Sequence, residues 1–314
     1  MTIQLCVYAD AALGQYHFGV EHPFGPGRYP AFYDEFMRRG LAHSVSVRSA
    51  RVASVEDIAR FHTRDYINKV QTLSELGEGV LDYGDTPAVP GIYEAAATVV
   101  GTSLDAMEQV MTGDCTRAFV PIAGLHHASP ERAAGFCVFN DVGVVIESLR
   151  ARYGIQRIAY VDIDAHHGDG VFYAYVSDPN LIIADMHEDG RHLYPGTGHA
   201  EETGQGQARG SKLNIPLPPG ADDEMALDLW EAAEDFIDAS QPEFILLQCG
   251  ADSLDGDPIT HLKLSGEFHA YVARRLVELA GRHAEGRILA MGGGGYAPGN
   301  IAEAWNNVIE AMLP

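Results

Sequence analysis

Short apolar runs alternate with longer amphipathic segments along most of this chain of 314 residues. Six of the runs are rich in β-branched or aromatic residues and lack polar alternation, which is typical of parallel strands buried on both faces. They span residues 3–8, 118–122, 157–161, 181–184, 244–247 and 287–291. Strands that alternate with helices in this way predict an α/β fold with a central parallel sheet.

Most segments between the runs carry helix start or stop signals. Ser54 and Asp57 have the spacing of a capping box, and Asn140 and Gly154 are placed to cap the two ends of one helix. The predicted helices span residues 55–60, 91–111, 141–153, 221–239 and 265–282. No linker, internal repeat or low-complexity tract divides the chain. We therefore expect a single domain over residues 1–314, with helices on both faces of the sheet.

The charge balance limits the possible partners. The chain has 44 acidic and 21 basic residues, a formal net charge of −23. Binding to phosphates needs a basic surface, so direct binding to nucleic acid is not expected. A strongly negative protein attracts cationic substrates, although solubility alone also explains this charge.

The N-terminus and the cysteines bear on where the protein works. The opening residues, MTIQLCVYAD, lack a basic region followed by a long apolar one, and no segment approaches the roughly 20 apolar residues of a membrane helix. The four cysteines are far apart and show no C-x-x-C spacing. These features predict a reduced, cytoplasmic protein that does not bind membranes.

Polar residues follow four of the predicted strands directly. AGLHHA, with His126 and His127, follows the second run, and DIDAHHGDG follows the third. Asp252 follows the fifth run within QCGADSLDGDP, and Tyr296 follows the sixth run after a series of glycines. Ligands bind at the carboxyl ends of the strands in open parallel sheets. The sequence therefore predicts one functional site at this edge of the sheet.

Asp164 and His166 have the spacing of two metal ligands. In an extended chain, side chains two residues apart lie on the same face. With Asp252 as a third ligand they would form a site with an open position, as in catalytic zinc sites. The alternative is that Asp164 caps a turn and His166 is a hydrogen-bonded core residue, which is the better interpretation of an isolated D-x-H. The polar residues at the other strand ends favour the metal site.

The two adjacent histidines and the tyrosine supply further chemistry. A histidine can transfer protons near neutral pH when a carboxylate fixes its tautomer, and Asp162 and Asp169 could each orient one of the pair. The alternative for either histidine is that it only packs in the core. The hydroxyl of Tyr296 could donate a hydrogen bond to a developing oxyanion.

Two motifs of other catalytic classes are weak or missing. The glycines at 292–295 lack the lysine and the spacing of a phosphate-binding loop, so close approach of the main chain to a ligand is the better interpretation. No G-x-S-x-G motif supports serine catalysis. A metal with an open position, a histidine pair and an oxyanion donor favour metal-assisted hydrolysis of an amide.

Eight stretches together resemble the histone deacetylase superfamily, which also includes acetylpolyamine amidohydrolases and acetoin-utilization proteins. In chain order they are YHFGVEHPFGPGRY, VASVEDIARFHTRDYI, DYGDTPAVPGIYEAA, GLHHASPERAAGFCVFND, VDIDAHHGDGV, YPGTG, GADSLDGDP and MGGGGY. The resemblance covers nearly the whole chain. It implies the arginase/deacetylase fold, a central parallel sheet flanked by helices, and hydrolysis of an acylated amine.

The resemblance also implies roles for the residues at the strand ends. It implies that Asp164, His166 and Asp252 bind a catalytic Zn²⁺, a position that Fe²⁺ can also occupy. It implies that His127 is first the general base and then the acid toward the leaving amine. By the same resemblance, Tyr296 polarises the acyl carbonyl.

Further residues are implied to surround this centre. His126 would assist electrostatically, while Asp162 and Asp169 would orient the histidine pair. The residues implied to contact the substrate or to line its tunnel and exit channel are Asp85, Gly135, Phe136, Tyr194 and Arg28. A structural monovalent cation, usually K⁺, is implied as well. Its candidate ligands are the backbone oxygens of Asp162, Asp164 and His166, together with Asp185 and Met186. Many relatives have serine in place of Asp185, which makes that ligand a departure from the pattern.

The substrate is open between two acylated amines. Asp85 suits an acetylated lysine in a peptide, because a carboxylate accepts backbone N–H groups. The negative net charge suits a cationic acetylpolyamine instead. Polyamine enzymes of this superfamily tend to narrow the tunnel with a loop or an acidic residue. Ile259 and Thr260 stand near the mouth here, which favours acyl-lysine; longer acyl groups and a homo-oligomer remain open.

Two other classes of function are alternatives. Arginase-like hydrolysis of a guanidine needs two metals and D-x-H-x-D spacing, but Gly168 stands two residues after His166. A non-catalytic acyl-binding protein would have no need of His127 and Tyr296. No catalytic role is predicted for His167, which is expected to be structural.

Overall fold

Residues 3–314 are described by a computed structural model, and they contain one eight-stranded sheet in which every pairing is parallel. The strands are β1 (Ile3–Tyr8), β2 (Ser46–Arg48), β3 (Cys115–Val120), β4 (Ile158–Asp162), β5 (Leu181–Glu188), β6 (Lys212–Leu217), β7 (Phe244–Gln248) and β8 (Ile288–Met291). Across the sheet the order is β2-β1-β3-β8-β7-β4-β5-β6. The predicted α/β architecture, a single domain with a central parallel sheet, is confirmed.

Nine α-helices within residues 3–314 flank these strands. They are α1 (Arg28–Arg38), α2 (Val55–Ile58), α3 (Arg64–Leu76), α4 (Ile92–Thr112), α5 (Asp141–Tyr153), α6 (Asp169–Ala174), α7 (Asp223–Ser240), α8 (Gly266–His283) and α9 (Pro298–Ala311). Ser54 and Asp57 form the predicted capping box at the start of α2. Asn140 accepts a hydrogen bond from the amide of Gly143, and Gly154 ends the same helix with a φ of 70°. These caps place α5 over the predicted residues.

The sequence pattern misses strands β2 and β6 and helices α1, α3, α6 and α9. Both strands lie at the edges of the sheet. β2 has three residues, none of them buried, and β6 contains Lys212, Asn214 and Pro216, so neither has the apolar run of a central strand. α1 carries Pro30 within its first turn, where its missing N–H is tolerated, and α6 has only six residues.

The strand register brings the carboxyl ends of the central strands together. Asp162 of β4 lies opposite both Gln248 of β7 and Asp185 of β5. Gln248 and Val120 of β3 both lie opposite Met291 of β8. Because every strand runs in the same direction, the loops that follow β3, β8, β7 and β4 start at one edge of the sheet. This edge carries the predicted site residues.

The cysteines form no disulfide within residues 3–314. All four cysteines, Cys6, Cys115, Cys137 and Cys249, are buried and free. Within residues 3–314, no helix combines the length and the apolar character that crossing a bilayer requires.

Candidate active site

Asp164 and His166 lie in the loop after β4, and Asp252 lies in a single 3₁₀ turn, Ala251–Ser253, after β7. Strand β4 ends at Asp162, so the prediction that the two loop residues share a face of extended chain is wrong. They converge because the amide of His166 donates to Oδ1 of Asp164 at 2.9 Å, which turns the loop. The ligand atoms of Asp164, His166 and Asp252 all lie within 4.8 Å of one another, and all three residues are buried.

These three side chains form a compact charged group. Nδ1 of His166 lies 3.0 Å from Oδ1 of Asp164 and 3.1 Å from Oδ2 of Asp252. Burial and the charge of Asp164 raise the pKa of Asp252 to about 7. Burial also works against the ionised form of Asp164, but His126 and His166 hold its pKa well below the usual range. Two buried carboxylates and an imidazole fit a divalent cation with an open position, because the cation would offset the like charges.

Two glycines bring the main chain against these carboxylates. A Cβ atom at Gly250 would lie 2.0 Å from Oδ2 of Asp164, and one at Gly294 would lie 2.0 Å from Oδ2 of Asp252. The amide of Gly294 donates to Oδ2 of Asp164 at 2.8 Å. The glycine run after β8 therefore allows close approach of the main chain to the candidate ligands.

Gly294→Ala is expected to weaken metal binding about 10–100-fold, because the new methyl group would displace Asp252 and disturb the hydrogen bond to Asp164. Gly299→Ala is the matched control, because a Cβ atom there meets no other atom within 4 Å. Competition with a chelating dye measures the affinity of each variant. Equal metal affinity in the two variants would contradict this close approach.

His126 and His127 follow β3, and an aspartate orients each of them. Nδ1 of His126 lies 2.8 Å from Oδ2 of Asp162, and Nδ1 of His127 lies 2.7 Å from Oδ1 of Asp169. The two Nε2 atoms are 3.1 Å apart. Burial opposes protonation of both rings, but Asp162 and Asp164 raise the pKa of His126 to about 9. Burial and the charge on His126 lower the pKa of His127 to about 4, so this ring is neutral near pH 7 and can accept a proton.

A narrow pocket of about 220 Å³ connects the half-exposed Tyr194 with His127 and His166. Gly135, Phe136 and Tyr194, which the resemblance assigned to the tunnel, line this pocket, and so does Asp85, which it assigned to the rim. Leu193 and Ile259 complete its walls. The ring centres of Phe136 and Tyr296 are 5.8 Å apart, and those of His127 and Tyr194 are 5.1 Å apart. These rings pack edge to face and give the pocket largely aromatic walls, which suit the apolar part of an extended chain.

A much smaller cavity also adjoins His166. Its volume is about 10 Å³, and Phe24, Leu125 and Cys137 help to enclose it, together with His127 and Tyr296. A volume of that size holds about one water molecule. The space next to the candidate metal group is therefore confined, which disfavours a long acyl chain.

The tunnel wall at Gly135 and Phe136 has an unusual backbone conformation, with φ values of 52° and 65°. A Cβ atom at Gly135 would lie 2.5 Å from the ring of His127, so glycine is required there. Phe136 is held from both sides. Its amide donates to Oγ1 of Thr86 at 3.0 Å, and its carbonyl accepts from the hydroxyl of Tyr16 at 2.7 Å. Strained main chain held in this way is typical of a functional site.

Asp85 lies at the rim of the tunnel, in a loop that Asp82 organises. Oδ1 of Asp82 accepts hydrogen bonds from the amides of Gly84, Asp85 and Thr86. Nε2 of His22 lies 3.0 Å from the carbonyl oxygen of Asp85. Burial and the nearby Asp82 raise the pKa of Asp85 to about 6. The loop thus presents a carboxyl group that is ionised above about pH 6.

Arg28 lies beside Tyr296 and outside the tunnel pocket. Its guanidinium is buried, donates to the carbonyl oxygens of Gly293 at 2.6 Å and Gly295 at 2.8 Å, and lies 3.8 Å from the ring centre of Phe24. A groove of about 520 Å³ contacts both Arg28 and Tyr296. Arg28 therefore fixes the glycine run that leads to Tyr296, and its place at an exit channel stays a prediction.

The candidate ligands of the structural cation are buried around the carboxyl end of β4 and within β5. Asp185 and Met186 both belong to β5, and Asp185 lies opposite Asp162 of β4 in the register. Oδ1 of Asp185 lies 2.6 Å from Nδ1 of His187, and its Oδ2 accepts the amide of Gly168 at 2.9 Å. A cation at this place would share the carboxylate with both partners. His167, which is predicted to be structural, is buried, and its ring centre lies 4.9 Å from that of His187.

Two polar residues that sequence reasoning missed hold the site together. Nε2 of Gln248 donates to Oδ2 of Asp164 at 2.7 Å, and Oδ2 of Asp257 accepts the amide of Tyr296 at 2.8 Å. Gln248 could have been found as the polar residue that ends an apolar run. Asp257 stands in a polar loop, DSLDGDP, in which no spacing distinguishes it from its neighbours.

Known proteins resemble this chain in both sequence and structure. Residues 22–312 match the family described as the histone deacetylase domain. The acetoin utilization protein AcuC of Bacillus subtilis (strain 168) is 37% identical over 289 residues, covering 90% of this chain and 74% of that protein. A probable deacetylase of Archaeoglobus fulgidus is 35% identical over 282 residues, covering 88% of this chain and 77% of that protein. The crystal structure of the HDA15 HD domain matches with a TM-score of 0.90 and 25% identity, covering 100% of this chain and 89% of that one.

Proposed function

This chain belongs to the histone deacetylase family, and from that premise we propose that it is a metal-dependent deacetylase that acts on acetylated lysine side chains. One observation carries the proposal. His166 of the buried candidate metal-ligand group, the neutral His127 backed by Asp169, and the protonated Tyr296 line both the narrow pocket and the small cavity. The products would be acetate and a free amine.

The proposed metal ligands are Asp164, His166 and Asp252, with Zn²⁺ as the ion and Fe²⁺ as the alternative. Zinc binds imidazole and carboxylate ligands in four-coordinate sites, and three protein ligands leave a position for the reaction. Such an ion, when bound, polarises the acyl carbonyl as a Lewis acid and lowers the pKa of the attacking water. Gln248 and Gly294 support this arrangement because both donate hydrogen bonds to Asp164. A structural K⁺ near Asp185 is part of the same proposal.

His127 would move the proton in both halves of the reaction. Because Nδ1 of His127 donates to Asp169, the lone pair is on Nε2, which would accept a proton from the attacking water in place of its contact with Nε2 of His126 at 3.1 Å. Asp169 then stabilises the imidazolium, and Nε2 returns the proton to the leaving amine. The neighbouring His126, held protonated by Asp162, favours that return because its charge lowers the pKa of His127.

Tyr296 would donate a hydrogen bond to the carbonyl oxygen as negative charge develops on it. Burial and the charge of Asp252 raise the pKa of Tyr296 well above its usual value, so the hydroxyl keeps its proton. Asp257 holds the main chain of Tyr296 through the amide hydrogen bond of 2.8 Å.

Acetyl-lysine is the substrate that the pocket supports best. The walls at Phe136 and Tyr194 suit its aliphatic side chain, and the confined cavity beside the candidate metal ligands disfavours a long acyl chain. Asp85 at the rim can accept hydrogen bonds from the peptide N–H groups on either side of the lysine.

An acetylated polyamine is the second candidate substrate. Asp82 and Asp85 line a rim pocket of about 270 Å³ together with Tyr194. The net charge of −23 would also attract a cationic chain. The chemistry at the metal group would be the same.

An arginase-like guanidine hydrolase and a non-catalytic acyl-binding protein are less well supported. Within residues 3–314, the acidic, histidine and cysteine side chains form one group of at least three potential metal ligands, so a two-metal guanidine hydrolase is not favoured. A protein that only binds acyl groups would not explain why His127 and Tyr296 line the pocket with the candidate ligands.

Assaying the two substrates side by side tests the proposed specificity. Protein loaded with one equivalent of Zn²⁺ is given an acetyl-lysine peptide or an acetylpolyamine, and acetate release is measured. We expect kcat/KM to be at least about tenfold higher for the peptide, the effect of one charge-assisted hydrogen bond at the rim. The reverse ratio would favour the polyamine, and no acetate from either would refute the proposal.

Asp85→Asn is expected to raise KM for the peptide about 10–100-fold with little change in kcat, because a charge-assisted hydrogen bond contributes about 1.5–3 kcal/mol. The KM for N-butylacetamide, which reproduces the side chain without a peptide backbone, should hardly change.

In the wild-type protein, KM for the peptide should rise as the pH falls below about 6, because burial and Asp82 raise the pKa of Asp85 to that value. Equal effects of Asp85→Asn on the KM values of the peptide and of N-butylacetamide would show that Asp85 does not contact the peptide.

A further inference from the structure

Lys212, the first residue of β6, is a buried lysine whose ammonium bonds only to uncharged oxygens. Its side chain is 1% exposed. Nζ donates to the carbonyl oxygens of Asp178, at 2.9 Å, and Leu181, and to Oγ of Ser211 at 3.0 Å. The carboxylate of Asp178 pairs with Arg150, at 2.6 Å, instead of with this ammonium. Because buried lysines are usually paired with a carboxylate, this arrangement calls for a different explanation.

Neutral oxygens gathered around a single positive charge are the ligands that proteins use for monovalent cations. In potassium-selective sites, backbone carbonyl oxygens replace the hydration shell of the ion. The ammonium of lysine is a compact point charge with three N–H donors, and here each donor has one oxygen. The oxygens of Asp178, Leu181 and Ser211, which we call the oxygen cage, therefore surround Lys212 as they would surround a bound ion.

The oxygen cage joins three segments of the fold. Asp178 lies in the turn after α6, Leu181 begins β5, and Ser211 directly precedes β6. Helix α6 starts at Asp169, the carboxylate that bonds His127, so the cage lies at the far end of the segment that carries this residue. A positive charge at the cage therefore holds that segment to the edge of the sheet.

We propose that the ammonium of Lys212 acts as a built-in monovalent cation, and that shortening this side chain turns the oxygen cage into a binding site for K⁺. Two buried carbonyl oxygens and a hydroxyl would otherwise lose their donors, which is unfavourable unless an ion or water replaces them. Burial lowers the pKa of Lys212 to about 8, so the ammonium form still dominates at neutral pH. A role as a nucleophile does not fit, because all three N–H groups are used and the side chain is buried.

Lys212→Ala and Lys212→Met separate the charge from the volume of the side chain. The melting temperature of each variant and of the wild type is measured in KCl and in tetramethylammonium chloride of equal ionic strength. In tetramethylammonium, we expect both variants to melt roughly 5 °C or more below the wild type. K⁺ should restore the melting temperature of Lys212→Ala in a saturable manner. The melting temperature of Lys212→Met should rise no more than that of the wild type, because the methionine side chain fills the space.

The effect of K⁺ on the melting temperature of the wild type is the reference, because K⁺ bound near Asp185 would stabilise every variant. Lys263→Ala, at an exposed lysine, is the control for loss of charge and should behave as the wild type does. Propylammonium replaces the atoms removed in Lys212→Ala and should restore that variant too. A melting temperature restored by propylammonium but not by K⁺ would overturn the proposal. So would a Lys212→Ala variant that melts with the wild type in tetramethylammonium, or one that does not fold in any of the three cations.

Discussion

Tyr296→Phe is expected to lower kcat for acetate release about 10²–10³-fold, the usual effect of removing one oxyanion donor. The substitution removes only the hydroxyl group. The ring contacts with Phe136, at 5.8 Å between centres, and with Phe24, at 6.4 Å, do not depend on it. Metal content, melting temperature and KM should therefore stay close to the wild-type values, since the hydroxyl would act mainly when charge develops on the carbonyl oxygen.

Steady-state kinetics and metal analysis of the same preparation distinguish catalysis from structure. Tyr271→Phe is the matched control, because Tyr271 is exposed on α8, away from the pocket. Wild-type turnover by Tyr296→Phe would refute the role of the hydroxyl. Loss of metal or a large fall in melting temperature would show instead that the residue is structural.

Asp252→Ala is expected to abolish metal binding and to reduce deacetylation by about 10³-fold or more, because the Lewis-acid contribution of several kcal/mol would be lost with the ion. Asp252 provides one of the three ligand atoms that lie within 4.8 Å of one another, and two ligands rarely hold zinc. The fold should survive, because removing Asp252 also removes a like charge buried next to Asp164.

Asp255→Ala is the control for this variant, because Asp255 is an exposed aspartate three residues further along the same loop. Metal content is measured by mass spectrometry after dialysis, and folding by circular dichroism. Full metal occupancy in Asp252→Ala would refute its assignment as a ligand, whatever the activity of the variant.

The central strands could be predicted because burial on both faces leaves a local signature. Every residue of β4 and β7 is buried, and both segments appear in the sequence as apolar runs that end in one polar residue. The edge strand β6 has no such run. Lys212 and Asn214 can be buried there because they donate hydrogen bonds to the carbonyl oxygens of Leu181 and Glu202, which only the folded chain brings close. A pattern of apolar residues cannot reveal a strand of this kind.

The composition of the site could be predicted, but its geometry could not. The meeting of Asp252 with Asp164 depends on the register that places Asp162 opposite Gln248, and no local spacing encodes that register. His166 reaches the group through a hydrogen-bonded turn rather than through strand alternation. Partners such as Asp257, which lies 39 residues from Tyr296 in the chain, become visible only when the loops are in place.

Metal removal and return test the proposed chemistry most directly. The protein is stripped with a chelator, dialysed, and assayed for acetate release from an acetyl-lysine peptide while Zn²⁺ is added in steps. We predict no turnover in the stripped protein, a linear rise in activity that ends at one equivalent of metal, and no rise in Asp252→Ala. Acetate release by the metal-free protein at the rate of the reconstituted one would contradict metal-dependent deacetylation at Asp164, His166 and Asp252.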